Sequence, residues 1–232
     1  MRLAEAGYRV VLTARRAEKL AEVAERITKN GGQAAAHQLD VTNRPAVEAF
    51  AATLDSCDVL VANAGGAVGG DTVAASSPDD WLAMYEVNVL GTLHVTQVLL
   101  PKLIASGAGT IVLMSSTAGF TAYEGGGGYV AAKHGTHAMA GTLRLELYDQ
   151  PVRVIEIAPG MVKTDEFALN RFRGDADKAA AVYAGVAEPL TAQDVADAVA
   201  WSVTRPAHFN VDLMVIRPRA QAAQHKVFRE TT

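Results

Sequence analysis

Three side chains near the middle of the sequence have the types and spacing of proton-transfer chemistry. The chain reads Ser115-Ser116-Thr117-Ala118-Gly119, then four glycines from Gly125 to Gly128, then Tyr129-Val130-Ala131-Ala132-Lys133. A phenol with its ordinary pKa of about 10 exchanges protons poorly near neutrality, and an ammonium beside it favours the phenolate and draws that value down. Tyr129 and Lys133 are four residues apart, the spacing of one helix face, so Lys133 is placed to supply that charge. A tyrosine tuned in this way is an acid for a carbonyl oxygen under reduction, or a base for an alcohol under oxidation. The Ser116 hydroxyl is of the type that holds the same oxygen in place. The Tyr-x-x-x-Lys spacing discriminates little by itself, since about 0.2 such pairs arise by chance in a chain of this composition. The surrounding elements must supply the specificity.

The apolar run Thr110-Ile111-Val112-Leu113-Met114 reads as a buried parallel strand. It delivers Ser115 and Ser116 to a carboxyl end, where open α/β sheets bind their ligands. Further strands are expected at Tyr8–Thr13, Gln33–Leu39, Val59–Ala62, Val152–Ile157 and Val211–Ile216. Helices are expected over Ala17–Thr28, from about Arg44 to Leu54, from Ser77-Pro78-Asp79-Asp80 through Asn88 towards Leu103, around Tyr129 and Lys133 to about Tyr148, and from the cap Thr191-Ala192-Gln193-Asp194 to about Thr204. Unbroken alternation of strand and helix implies an α/β fold with a doubly wound parallel sheet in three layers, one Rossmann-like domain over residues 1–232. Residues 161–190 are mixed and polar and read as a mobile flap over the sheet edge, and 217–232 as a polar tail.

With 50% hydrophobic and 20% charged residues, the chain suits a globular domain with a substantial core. A net charge of -4, a pI near 5.9 and no basic cluster argue against a nucleic-acid partner. The apolar runs are of strand length or broken by charges and the amino terminus lacks a secretory pattern. No membrane association is expected, and a cytoplasmic location is the default. The lone Cys57 opens an apolar run and reads as an inert thiol. His134 and His137 form no ligand set with a nearby acid, so no metal is expected.

Asn63-Ala64-Gly65 after a strand, Asn88 in the next helix, Ser116 thirteen before Tyr129, Lys133, and Pro159-Gly160 followed by Thr164 stand in the order of the short-chain dehydrogenase/reductases, which the chain resembles over nearly its whole length. The resemblance implies a nicotinamide cofactor along the carboxyl edge of the sheet. It makes Tyr129 the acid/base, Ser116 the substrate-orienting hydroxyl, Lys133 both the charge that tunes Tyr129 and a donor to the nicotinamide ribose, and Asn88 the holder of a water in a proton relay. It also places Asp40-Val41 at the adenine, Asn63-Ala64-Gly65 at the adenosine ribose, and Pro159, Gly160, Val162 and Thr164 at the carboxamide and pyrophosphate. Asp40 has a second reading, as a strand-end cap. Where an NAD-selective member shows an acid, this chain has Ala14-Arg15-Arg16, and two guanidiniums suit a 2′-phosphate, so NADP is expected over NAD.

The second half, with Asp165-Glu166-Phe167, Arg171-Phe172-Arg173, Tyr183, Trp201 and Pro206-Ala207-His208, is similar to the NADP-dependent 3-hydroxy acid dehydrogenases, a subfamily with serine dehydrogenases and malonic semialdehyde reductases. That likeness implies a small hydroxy acid or its semialdehyde as substrate, Arg171 or Arg173 as a carboxylate partner, and a homo-oligomer, tetramer or dimer, whose tails assist assembly. Other ketone or aldehyde reductases are the alternative substrate class. The family's first strand and its Thr-Gly-x-x-x-Gly-x-Gly turn have no counterpart here, which leads to the expectation that roughly 20 to 30 residues are missing and that the ladders ending at Thr13 and Ala62 are left open. Either the chemistry belongs to a longer chain, or this chain binds cofactor poorly and serves a non-catalytic or assembly role. Weak NADPH binding is expected in both cases.

Overall fold

A computed structural model describes residues 1–230. In chain order it contains α1 (Arg2–Glu5), β1 (Arg9–Ala14), α2 (Ala17–Lys29), β2 (Gln33–Gln38), α3 (Arg44–Ala52), β3 (Val59–Ala62), α4 (Pro78–Tyr85), a π-helical turn (Glu86–Leu90), α5 (Gly91–Ala105), β4 (Gly109–Met114), α6 (Gly127–Glu146), β5 (Val152–Pro159), α7 (Phe167–Arg171), α8 (Ala176–Tyr183), α9 (Ala192–Val203) and β6 (Met214–Ile216). The helix starts form where the sequence supplies caps. Ser77 Oγ accepts from Asp79 N (3.2 Å) ahead of Pro78, Asn43 Oδ1 accepts from Ala46 N (3.1 Å), and Thr191 and Asp194 form a reciprocal capping box.

Every strand pair is parallel, and the central strands are buried on both faces. Ile111, Leu113 and Val154 pack towards Leu99, Leu103, Ala140 and Leu147 of the helical layer formed by α5 and α6. Val112, Ile155 and Ile157 point the other way, onto Val199 and Val203 of α9. Two layers of helix around a parallel sheet make the Rossmann-like architecture expected from the alternation of elements.

The sheet departs from a single continuous ladder. β1 pairs only with β2, and β3 begins a separate ladder in the order β3-β4-β5-β6. Val10, Val11 and Leu12 of β1 face Val59, Leu60 and Val61 of β3 across an open trough. Four other expectations are corrected. The helix expected from Ser77 towards Leu103 is interrupted by the π turn that carries Asn88. The apolar runs were expected to be too short or too charged to span a bilayer, yet 28 helical residues run from Pro78 to Ala105 and meet that length and apolarity; they lie along the sheet as core helix, which accounts for the composition. The final strand is confined to Met214–Ile216, and the 161–190 segment contains two helices, α7 and α8, the second capped by Asp175.

Candidate active site

β4 runs out at Met114, and the next residues turn back towards α6. Ser116 is the pivot: its Oγ accepts from Ala118 N (3.1 Å), capping a short 3-10 turn, and donates to Pro159 O at the end of β5 (3.3 Å). Tyr129 and Lys133 stand on the first turns of α6 and are both buried, at 9% and 5% exposure. The Tyr129 ring packs edge-on against Phe167 of α7, with ring centroids 5.8 Å apart. Lys133 Nζ donates to Met114 O (2.9 Å) and lies 5.8 Å from the centre of the Tyr129 ring. Ser116, Tyr129 and Lys133 therefore line one cavity at the carboxyl end of β4, as their sequence spacing predicts.

The electrostatics differ from the expectation. Burial pushes the Tyr129 phenol above its ordinary value; the neighbouring Tyr123 pushes the same way, while the Ser116 hydroxyl and the Arg171 guanidinium pull it back. Burial also pushes Lys133 down to about 8. The spacing argument had the ammonium draw the phenol's value down, but desolvation dominates for both groups in this buried corner.

Asn88 is fully buried in the π turn. Its amide donates to Gly66 O (2.9 Å) and Met84 O (2.7 Å) and accepts from Gly66 N (3.2 Å), while its backbone carbonyl accepts from Thr92 and Thr136 hydroxyls at 2.8 and 3.2 Å. The side chain thus fixes the loop after β3. A Cβ on Gly65 would lie 2.4 Å from Asn88 Oδ1 and 3.4 Å from Lys133 Nζ, so only glycine lets the loop pass this close to both.

The cavity extends to about 1090 Å³ along the carboxyl ends of the strands and down into the trough between β1 and β3. Asn63, Gly65, Tyr129, Lys133, Pro159, Gly160, Val162 and Thr164 line it, eight of the residues expected to hold a cofactor. Arg15, Arg16, Asp40, Val41 and Ala64 do not. Asp40 is exposed and accepts from Thr42 N (2.9 Å) and Thr42 Oγ1 (2.8 Å), bonds that hold its carboxyl below the usual range; this is the strand-end cap. Val41 packs on Gly91, and Arg15 O accepts from Gln38 Nε2 (2.8 Å). Arg16 is held by a bidentate pair with Glu166, at 2.8 and 2.5 Å, which ties the β1–α2 loop to the 161–190 segment.

Two site contacts gave no sequence signal. Gln221, buried in the tail, accepts from Met161 N (2.8 Å), and Gln224 accepts from Thr117 Oγ1 (2.9 Å), so the tail closes over the site. Two glutamines in a polar stretch have no pattern that marks them. Of the tail as read from the sequence, Thr231 and Thr232 lie outside the described residues. His137, read from the sequence only as part of no metal-ligand set, has its Nδ1 2.9 Å from the carboxylate of fully buried Glu156, which β5 projects towards α6 on the same face as Val154.

The family described as short chain dehydrogenase matches residues 1–172. The chain belongs to this family. It is an oxidoreductase, and similar proteins narrow the comparison. An uncharacterised oxidoreductase of Mycobacterium tuberculosis is 52% identical over 221 residues, covering 95% of this chain and 85% of that one. An NADP-dependent 3-hydroxy acid dehydrogenase of Escherichia coli is 37% identical over 225 residues, covering 95% and 89%. Among solved structures, the closed form of a serine dehydrogenase complexed with NADP+ superposes with a TM-score of 0.91 at 35% identity, over 99% of this chain and 93% of that chain. With so much of both chains aligned, the expected loss of a first strand and glycine-rich turn is not confirmed.

Proposed function

We propose that this protein is an NADP-dependent oxidoreductase that interconverts a small hydroxy acid or alcohol with its carbonyl compound, with Tyr129 as acid and base. The observation that carries this reading is the convergence of Ser116, Tyr129 and Lys133 in one buried corner of a cavity of about 1090 Å³ that runs along the carboxyl ends of the strands. The residues present fit the cofactor. Backbone passes close to the cavity at Gly65, Pro159 and Gly160 are open to a ligand, and Lys133 uses one of its three N–H donors on Met114 O. When bound, the dinucleotide supplies or accepts the hydride.

The chain's own residues do the rest. Ser116 Oγ orients the reacting oxygen and stabilises charge on it. The buried phenol of Tyr129 stays protonated near neutrality, which suits it to give its proton to that oxygen during reduction. In the oxidative direction the proton must return to a phenolate that Lys133 and Arg171 stabilise. Arg16 is the candidate for the 2′-phosphate, a task that requires its guanidinium to leave or share Glu166. The dehydrogenases similar to this chain carry NADP in their names, and one was solved with it, which supports NADP(H) here.

A second reading, a chain with impaired cofactor binding and a non-catalytic or assembly role, is favoured by the unpaired facing edges of β1 and β3, which leave the floor of the crevice open. Those edges have the polarity to accept one further parallel strand, and a homo-oligomer is the form we propose for the active protein. Titration with NADPH and NADH, followed by nicotinamide fluorescence, separates the readings. Saturable binding that favours NADPH, with turnover of any small hydroxy acid or carbonyl in a panel, supports the first. Absence of binding at millimolar cofactor refutes it.

A further inference from the structure

Two arginines follow one another closely at the end of α7, and the structure gives them opposite environments. Arg173, the only non-glycine residue with a left-handed backbone (φ 55°) among the described residues, is exposed, and one of its terminal nitrogens donates to both oxygens of Asp80, each at 2.7 Å. Its charge is already matched. Arg171 is half-buried and, among the described residues, meets no carboxylate. Its Nε donates to Gly69 O (3.1 Å), one terminal nitrogen donates to Tyr123 Oη (3.1 Å), and the other to Gly125 O (2.9 Å). The guanidinium lies 5.6 Å from the Tyr123 ring centre and 5.7 Å from that of Phe172. The acceptors are fixed by the backbone: Gly125 has φ +69° and passes so close to Gly70 that a Cβ there would lie 2.4 Å from its carbonyl oxygen.

Such a seat immobilises a cation without neutralising it. Three of five N–H donors are used, which leaves one on each terminal nitrogen. Arg171 and Tyr129 line the same cavity, and the Arg171 charge reaches the phenol. A guanidinium held rigid beside a reacting oxygen, with donors to spare and no internal counter-ion, has the build of an anion receptor.

We propose that Arg171 receives the carboxylate of a small hydroxy acid, or of the corresponding oxo acid, and so selects acids over neutral alcohols, while Arg173 takes no part. This rests on the reading of Tyr129 as acid and base, and it names the residue that sets the substrate class. Two N–H groups reach the carboxylate, and the orientation places the substrate hydroxyl, not the carboxylate, at Tyr129 and Ser116.

The test compares 3-hydroxypropanoate with its methyl ester, in turnover with NADP and in calorimetric titration of the full chain. The wild-type chain is expected to prefer the acid. In Arg171→Met, kcat/KM for the acid falls roughly 100-fold, mainly through KM, while that for the ester is unchanged; Arg171→Lys restores part of the acid preference, and Arg173→Ala keeps all of it. Equal losses for acid and ester in Arg171→Met would show a clamp for the loops and overturn the proposal, as would a wild-type chain that binds no carboxylate in the calorimeter. A wild-type chain that binds 3-hydroxypropanoate, loses that binding in Arg171→Met, and yet turns over neither compound leaves the receptor standing and removes the catalytic reading of Tyr129.

Discussion

Replacing Lys133 by methionine should make the protein more stable at neutral pH and less stable at high pH. The ammonium is buried, with a pKa near 8 in the folded chain against 10.5 for the ordinary group. Below pH 8 both states are protonated and the whole burial penalty is present, about 3 kcal/mol at roughly 1.4 kcal/mol per unit. Between 8 and 10.5 the unfolded chain holds more protons than the folded one, so wild-type stability rises with pH. Above 10.5 the penalty is gone. Lys133→Met removes the penalty but leaves Met114 O without its donor, at a cost of about 1–2 kcal/mol. The variant should therefore gain about 1–2 kcal/mol at pH 7 and lose a similar amount above pH 10.5. Urea unfolding of the cofactor-free protein at both pH values measures the difference. A difference that does not change sign with pH would refute the argument that burial, rather than the Tyr129 neighbour, governs Lys133.

Tyr129→Phe should lower kcat/KM by about 10²–10⁴-fold while NADPH titration by fluorescence is unaltered, because only the proton donor is removed. Arg16→Ala should weaken NADPH binding by about tenfold or more without changing NADH, and Glu166→Gln should tighten NADPH by freeing the same guanidinium; the two titrations together check the assignment. Gly65→Ala should drive Asn88 from its bonds to Gly66 and lower stability by about 2 kcal/mol, read as a fall in the thermal midpoint. His137→Leu should leave Glu156 buried and unpaired, costing about 2–3 kcal/mol in urea unfolding, most of which His137→Leu with Glu156→Leu should return.

The sequence exposes features that act locally and hides those decided by distant partners. The run from Thr110 to Met114 needs no neighbour to be read as a buried strand, and the caps at Ser77 and Thr191 announce their helices in a few residues. The Tyr129–Lys133 spacing places both groups in one site, but the sign of the phenol's shift follows from burial, which spacing does not contain. Arg171 and Arg173 are alike as letters; Asp80, far away in the chain, neutralises one and not the other. Glu156 sits between Ile155 and Ile157, and its partner becomes visible only when α6 is laid across β5. The division of the sheet is likewise a matter of pairing between elements, and both β1 and β3 read as ordinary strands by themselves.

The π turn at Glu86–Leu90 acts as a phase corrector between two halves of one long helix. Continued at about 100° per residue, a regular helix would carry the α5 stripe of Thr92, Val95, Thr96, Leu99 and Leu103 roughly 75° around the axis from Met84. The wider turn accommodates about one extra residue, worth nearly that rotation, and brings both halves onto the same wall of the sheet. Deleting a single residue there would heal the helix and leave the α5 stripe facing the core, so the loss would fall on the site, where the widened turn that holds Asn88 against the loop after β3 would be gone. The irregularity that interrupts the long helix is thus what keeps the core and the site in register.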